Sequence, residues 1–176
     1  MRVIGGEFRS RVLKSLPGRA IRPTPDILRE TLFNVLATRL QGVVFVDAYA
    51  GTGSVGIEAL SRGASRAIFI EHSRAGVEVI RANLEALGLE KRANVIRGSA
   101  GSTLARYPAE IVFLDPPYDS PDEYNRALEA LGENPPSLVI AQHESRTLPA
   151  EHCGRLRRYR VIKQGSNALS FYEPAV

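Results

Sequence analysis

The chain has 176 residues, 44% hydrophobic and 24% charged, with a formal net charge of +4 and one cysteine, Cys153. That length supports one sizeable core in one main domain, a single cysteine excludes an intramolecular disulfide, and no apolar stretch approaches the ~20 residues that span a membrane. Residues 1–41 hold eight Lys or Arg against three acids and residues 155–163 hold five basic residues and no acid, whereas residues 42–154 hold ten basic and fifteen acidic.

Such end-loaded basic charge belongs either to a surface that neutralises phosphates or to a plain solvated face. In chain order, Val3-Ile4 and Val12-Leu13, separated by polar and glycine-containing sequence, predict a small amino-terminal β-hairpin on which Arg9 and Arg11 share a face. After Pro23-Thr24-Pro25, Thr24 or Asp26 caps a helix whose Leu28, Leu32, Val35, Leu36 and Leu40 form one buried stripe. Arg22, Arg29 and Asn34 of this region face a ligand cleft or solvent, and Arg22 is the one expected to touch substrate. Strands and helices then alternate: strand 43–47, helix 54–63, strand 67–71, helix 74–88, strand 94–97, helix 101–106, strand 110–114, helix 122–131 and strand 137–142. This order predicts an α/β fold with a doubly wound, mostly parallel sheet. Arg158 to Lys163, the turn Gln164-Gly165-Ser166-Asn167 and Ala168 to Glu173 predict a closing hairpin, and residues 144–157 receive no element. Residues 1–41 are expected to form an extension and residues 42–176 the main domain. The amino terminus lacks the long apolar segment of a signal peptide, so a cytoplasmic location is expected.

Two motifs carry chemistry. The apolar run Val43-Val44-Phe45-Val46 leads into Asp47-Ala48-Tyr49-Ala50-Gly51-Thr52-Gly53-Ser54-Val55-Gly56, a strand, a glycine loop and a helix start. The glycines let backbone approach a ligand, and the helix offers free N–H groups. Glu71, twenty residues after Gly51, completes a match to the dinucleotide fingerprint. Against an NAD site, Asp47 would oppose a pyrophosphate while suiting an ammonium, and no second nucleotide-binding half follows. The second motif, Asp115-Pro116-Pro117-Tyr118, closes the apolar run Ile111-Val112-Phe113-Leu114. A carboxylate, the Pro116 carbonyl and an aromatic ring, held in one rigid arc, suit an amine on a planar base: the oxygens accept its N–H groups and the ring stacks. Prolines after a strand also simply end strands. His72, His143 and His152 show no metal-ligand spacing, so no metal is expected.

Taken with Arg2-Val3-Ile4-Gly5-Gly6, Phe8-Arg9-Ser10-Arg11, Arg22-Pro23-Thr24, Arg29-Glu30-Thr31-Leu32-Phe33-Asn34 and Gly56-Ile57-Glu58-Ala59-Leu60-Ser61-Arg62-Gly63-Ala64, these motifs resemble a known family over nearly the whole chain. It is the class I S-adenosylmethionine-dependent methyltransferases, and within them the RsmD type that methylates the guanine N2 amine of small-subunit (16S) rRNA. The glycine loop is generic to that superfamily and the Asp-Pro-Pro-Tyr motif is shared by amino-methylating enzymes; the amino-terminal block narrows the resemblance. One departure stands out. Such enzymes commonly carry an acidic residue after the third strand, as an acceptor for the cofactor's adenine amine, where this chain has Gly98-Ser99-Ala100.

The resemblance implies a Rossmann-like methyltransferase sheet with a reversed last strand and S-adenosyl-L-methionine as cofactor. It implies cofactor contacts from Asp47, Ala50, Gly51, Thr52 and Gly53 at the methionine end, Glu71 at the ribose, and Ser99 and Ala100 at the adenine. It places Asp115, Pro116, Pro117 and Tyr118 at the reacting amine, and 16S rRNA, on an assembled or partly assembled small ribosomal subunit, as partner. Arg2, Arg9, Arg11, Lys14 and Arg22 are the expected RNA contacts. Alternative readings are an adenine-N6 methyltransferase on DNA or RNA, an NAD-binding oxidoreductase, and a catalytically idle RNA-binding module.

Overall fold

The computed structural model describes residues 1–16, 25–117 and 119–176. Eight strands form one sheet: β1 (Val44–Asp47), β2 (Arg66–Glu71), β3 (Ala93–Arg97), β4 (Ile111–Leu114), β5 (Leu138–Glu144), β6 (His152–Cys153), β7 (Leu156–Gln164) and β8 (Asn167–Pro174). Their spatial order is β3-β2-β1-β4-β5-β8-β7-β6. The first five strands are parallel, and β8 enters antiparallel between β5 and β7, giving the expected reversed last strand.

The strands β1 to β5 read as continuous apolar runs because helices cover both of their faces. Phe45, Phe69, Phe113 and Ile140 point into one layer with α1 (Asp26–Leu36), α2 (Ser54–Ser61) and α3 (Arg74–Leu87). Val46, Ile68, Ile70, Val112, Leu114 and Val139 point to the other, against α4 (Ala100–Thr103) and α5 (Asp122–Gly132). The expected stripe of α1 is buried at Leu28, Leu32, Leu36 and, beyond the helix, Leu40; Val35 is partly buried against it.

Several elements differ from expectation. The amino-terminal hairpin is short, with one antiparallel bridge, Arg2 to Val12, and the N–H groups of Val3, Ser10 and Leu13 donating across it to Arg11, Val3 and Met1, while those of Ile4, Gly5, Glu7 and Phe8 turn to α2 and that of Lys14 to α3. Helix 54–63 stops at Ser61, and the 101–106 helix divides into α4 and a 3-10 turn, Leu104–Arg106. The short β6 occupies residues left unassigned, and β7 starts at Leu156. Asp26 is the first residue of α1, and Pro25 rather than a polar side chain stands at its cap.

The amino-terminal segment shares the main core: Val3 and Leu13 are buried beside α1 and α2. A buried ionic knot fixes it there. The carboxylate of Glu58 accepts the N–H groups of Ile4 (2.8 Å) and Gly5 (2.9 Å) and the Nε of Arg62 (2.8 Å). Arg29 faces neither a cleft nor solvent. It is fully buried, donates to the Arg2 carbonyl (2.6 Å) and to Asp26 (3.0 Å), and lies 3.8 Å from Glu58. Asn34 is exposed, and Arg22 lies outside the described residues.

Removing one partner of a buried ionic network strands the others. Glu58→Ala is expected to lower the unfolding free energy by about 3–5 kcal/mol and to open residues 1–14 to protease, with Glu58→Gln milder. Urea titration and limited proteolysis check this; a loss below about 1 kcal/mol would contradict the clamp.

Candidate active site

The parallel register brings the carboxyl ends of β1, β2, β3 and β4 to one edge: Asp47 stands beside Phe69 and Phe113, and Glu71 beside Arg97. The chain winds from β1 outward to β2 and β3, then returns to place β4 on the other side of β1. That reversal makes the β1/β4 junction the crevice where open α/β sheets bind ligands. A cleft of about 230 Å³ opens beside it, on the α4 and α5 side. Ala48, Ile70, Ala100 and Pro117 supply apolar wall, and Glu71, Ser99 and Glu123 polar groups.

Glu71 is the organising carboxylate. Its Oε1 accepts the Gly51 N–H (3.1 Å) and its Oε2 the Ser73 N–H (2.9 Å), tying the glycine loop to the start of α3. Gly76 makes room for it, since a Cβ there would stand 2.7 Å from the Glu71 side chain. Ser73 caps α3 by accepting the Gly76 N–H at 2.8 Å. Asp47 is buried on the α2 side, where its Oδ2 accepts the Gly56 N–H at 3.0 Å. Gly51 has a φ of 58° and open space where a Cβ would project, so its backbone is presented bare to the cleft edge.

The predicted residues thus divide. Glu71, Ser99, Ala100 and Pro117 line one cleft, with buried Pro116 and half-buried Asp115 preceding Pro117 at the end of β4. Ala50, Gly51, Thr52 and Gly53 form the adjoining loop, and Asp47 stands behind it, bracing α2. Tyr118 lies outside the described residues. Ser99 Oγ is paired with Ser102 Oγ at 2.6 Å. Sequence reasoning missed Tyr49 and Glu123, which face each other across 74 positions of chain, with the Tyr49 hydroxyl donating to Glu123 Oε2 at 3.0 Å.

Arg2, Arg9, Arg11 and Lys14 are all exposed. They are not at one place. Lys14 bonds Asn83, whose amide also reaches the Thr52 carbonyl of the glycine loop. Glu7 and Phe8 bond Ser61 at the far end of α2, and Arg11 donates to Ala86 near the far end of α3, so Arg9 and Arg11 lie toward the opposite edge of the sheet. The β7–β8 turn, by contrast, reaches the catalytic edge, because β8 pairs Asn167 with Glu144 at the end of β5.

The site fits a nucleoside-bearing cation: an apolar slot of purine-like chemistry, a carboxylate at its rim, bare loop backbone, and further carboxylates at the same edge. Among the described residues no group of His, Cys, Asp and Glu is placed to hold a metal. No helix among them is long and apolar enough to cross a membrane.

Burial raises the Asp47 carboxyl from its ordinary 3.8 to about 7; the Gly56 N–H opposes this, and the charge of Glu71 adds to it. A raised acid stabilises the fold fully below the unfolded value and loses that contribution as pH rises through the folded one. Wild-type stability relative to Asp47→Asn, which keeps an acceptor for Gly56, is therefore expected to fall between about pH 4 and pH 7, by at most ~1.4 kcal/mol per unit. Denaturant titrations across that range check it, and parallel pH profiles would contradict it.

Comparison with known proteins agrees with this geometry. Residues 1–173 match the family model described as conserved hypothetical protein 95. The Bacillus subtilis protein YlbH, provisionally named an rRNA methyltransferase, is 34% identical over 98% of this chain and 98% of its own. Ribosomal RNA small subunit methyltransferase D of Escherichia coli is 42% identical over 67% of this chain and 60% of its own length. The solved structure of Escherichia coli yhhF, provisionally named a methyltransferase, superposes with a TM-score of 0.83 at 35% identity, covering 100% of this chain and 98% of that one. The chain belongs to the conserved hypothetical protein 95 family, and within the class I S-adenosylmethionine-dependent methyltransferases to the RsmD type.

Proposed function

We propose that this protein methylates the exocyclic N2 amine of a guanine in small-subunit (16S) rRNA, on an assembled or partly assembled small subunit in the cytoplasm. One observation carries the reading: Glu71 and Pro117 line one crevice near the β1/β4 junction, with the glycine loop bonded to Glu71 through Gly51 and Asp115-Pro116 leading from β4 into Pro117. The names of the related rRNA methyltransferases supply the substrate class. The reversed β8 and the carboxylate Asp47 behind the loop disfavour a dinucleotide, and the amino-terminal block favours rRNA over the adenine-N6 alternative.

S-adenosylmethionine, when bound, supplies an electrophilic methyl group on a sulfonium. Glu71 would hold the ribose hydroxyls through its remaining lone pairs, and the Ala50 to Gly53 backbone with Asp47 the methionine end. Ser99 and Ala100 would flank the adenine. Asp115 and the Pro116 carbonyl accept the two N–H groups of the guanine amine, drawing its lone pair out of conjugation and toward the crevice. Tyr118, by the family pattern, would stack on the base. The proton departs after the bond forms, to water or to Asp115, because an ordinary carboxylate is too weak to ionise a neutral arylamine beforehand.

Residues 1–41 serve in this reading as an RNA-contacting extension, with Arg2, Arg9, Arg11, Lys14 and Arg22 neutralising phosphates. Lys14 and the β7–β8 turn stand near the catalytic edge, while Arg9 and Arg11 meet only a substrate broad enough to reach around the α2 and α3 side. A folded ribonucleoprotein particle has that breadth, and a short single strand does not.

Asp115→Ala is expected to slow methyl transfer to small subunits by on the order of 10²-fold or more, with cofactor affinity within a few-fold of wild type. Glu71→Ala reverses the pattern, weakening the cofactor while sparing RNA binding. Filter-bound methyl incorporation and calorimetric titration read the two effects. Wild-type rates in Asp115→Ala would refute the assignment of the arc.

A further inference from the structure

The cleft holds a second carboxylate that the mechanism above does not use. Glu123, in the first turn of α5, lines the same wall as Ser99, Ala100 and Pro117. Its side chain is 26% exposed and is held from two sides: Tyr49 Oη on Oε2 at 3.0 Å, and Arg126 Nη1 on Oε1 at 3.3 Å. Burial first, then the neighbouring carboxylate, keeps the Tyr49 hydroxyl well above the ordinary phenol range, so it remains a donor. Glu123 is thus fixed in place, and a carboxylate offers about four lone-pair sites, which leaves capacity for a ligand.

Of the two carboxylates that line the cleft, Glu71 and Glu123, the cofactor reading above leaves Glu123 unassigned. Glu71 takes the Gly51 and Ser73 N–H groups and is the ribose contact of that reading, while Ser120, His72 and Ser99, whose Oγ is paired with Ser102 Oγ, accept more weakly than a carboxylate. The apolar side chains of the wall, Ala48, Ile70, Ala100 and Pro117, suit the faces of a purine and offer its amine no side-chain acceptor. An amine buried there without an acceptor would be costly.

We infer that Glu123, steadied by Tyr49, accepts a hydrogen bond from the purine amine of the cofactor and makes the cleft selective for adenine. It thereby does the work that Ser99, standing where the superfamily carries an acid, performs weakly. The inference rests on the cofactor reading above. Glu123 is a binding and specificity residue, not a group of the transfer step.

The test is calorimetric titration with S-adenosylhomocysteine and with S-inosylhomocysteine, in which a carbonyl replaces the purine amine. Wild type is expected to prefer the adenosyl compound by about 10-fold to 100-fold, the range for a hydrogen bond to a charged acceptor. In Glu123→Gln, whose amide both donates and accepts and still receives Tyr49, the preference is expected to collapse to within about threefold, with Glu123→Ala as a second variant. A wild-type preference that survives in both variants, or no wild-type preference at all, overturns the role of Glu123. No binding of S-adenosylhomocysteine to wild type would overturn the cofactor reading itself, and the inference with it.

Discussion

Two carboxylates reaching from strand ends into loop backbone hold the working edge of this protein together. Asp47 accepts from Gly56, and Glu71 accepts from Gly51 and Ser73, so the loop and the first turns of two helices hang on the ends of β1 and β2. The parallel register sets Asp47 beside Phe69 and lets β2 run on to Glu71, so both carboxylates stand at the edge where α2 and α3 begin. Without them the loop would lose its anchor, and the bare backbone at Gly51 would have no fixed relation to the Asp115-Pro116-Pro117 arc. Glu71 is therefore both a structural brace and the proposed ribose contact, which is economical but couples cofactor affinity to loop order.

Much of this was legible in the sequence, for local reasons. The runs Val43 to Val46, Ala67 to Ile70 and Ile111 to Leu114 announce buried parallel strands, and each ends in, or just before, the acid that marks the catalytic edge. Ser73 and Gly88 bound α3 by ordinary capping chemistry. What remained hidden depends on partners distant in sequence. Arg29 is buried because Glu58 and the Arg2 carbonyl await it, and charged residues are normally placed outside. A signal existed: Glu58 is the one charged residue of α2, whose every residue is buried, and a lone acid on such a helix implies a buried partner. The Tyr49–Glu123 pair left no comparable trace, since both residue types are unremarkable where they stand. The amino-terminal hairpin is there but short, because Val3 and Leu13 turn into the core while Val12 is left exposed and the backbone between them bonds α2.

The ionic knot around Glu58 bears on how the ends of the chain could work with the middle. It pins Ile4, Gly5, Arg29 and Arg62 together at the side of α2, so the amino-terminal arginines are displayed on a rigid support. The support spreads them over a broad face, with Lys14 toward the glycine loop and Arg11 toward the end of α3. A wide basic face joined to a narrow acidic crevice suits a substrate whose fold, more than its local sequence, presents the base.

The central claim, transfer of a methyl group to guanine N2 of small-subunit rRNA, is tested most directly by identifying the product. Purified enzyme and labelled S-adenosylmethionine would be incubated with small subunits lacking the modification, with protein-free 16S rRNA and with duplex DNA, and the digested nucleosides separated by chromatography and mass spectrometry. The account predicts N2-methylguanosine, formed best on the subunit particle. N6-methyladenine in any of the three substrates, or no methylated nucleoside from a preparation that binds the cofactor, would contradict it.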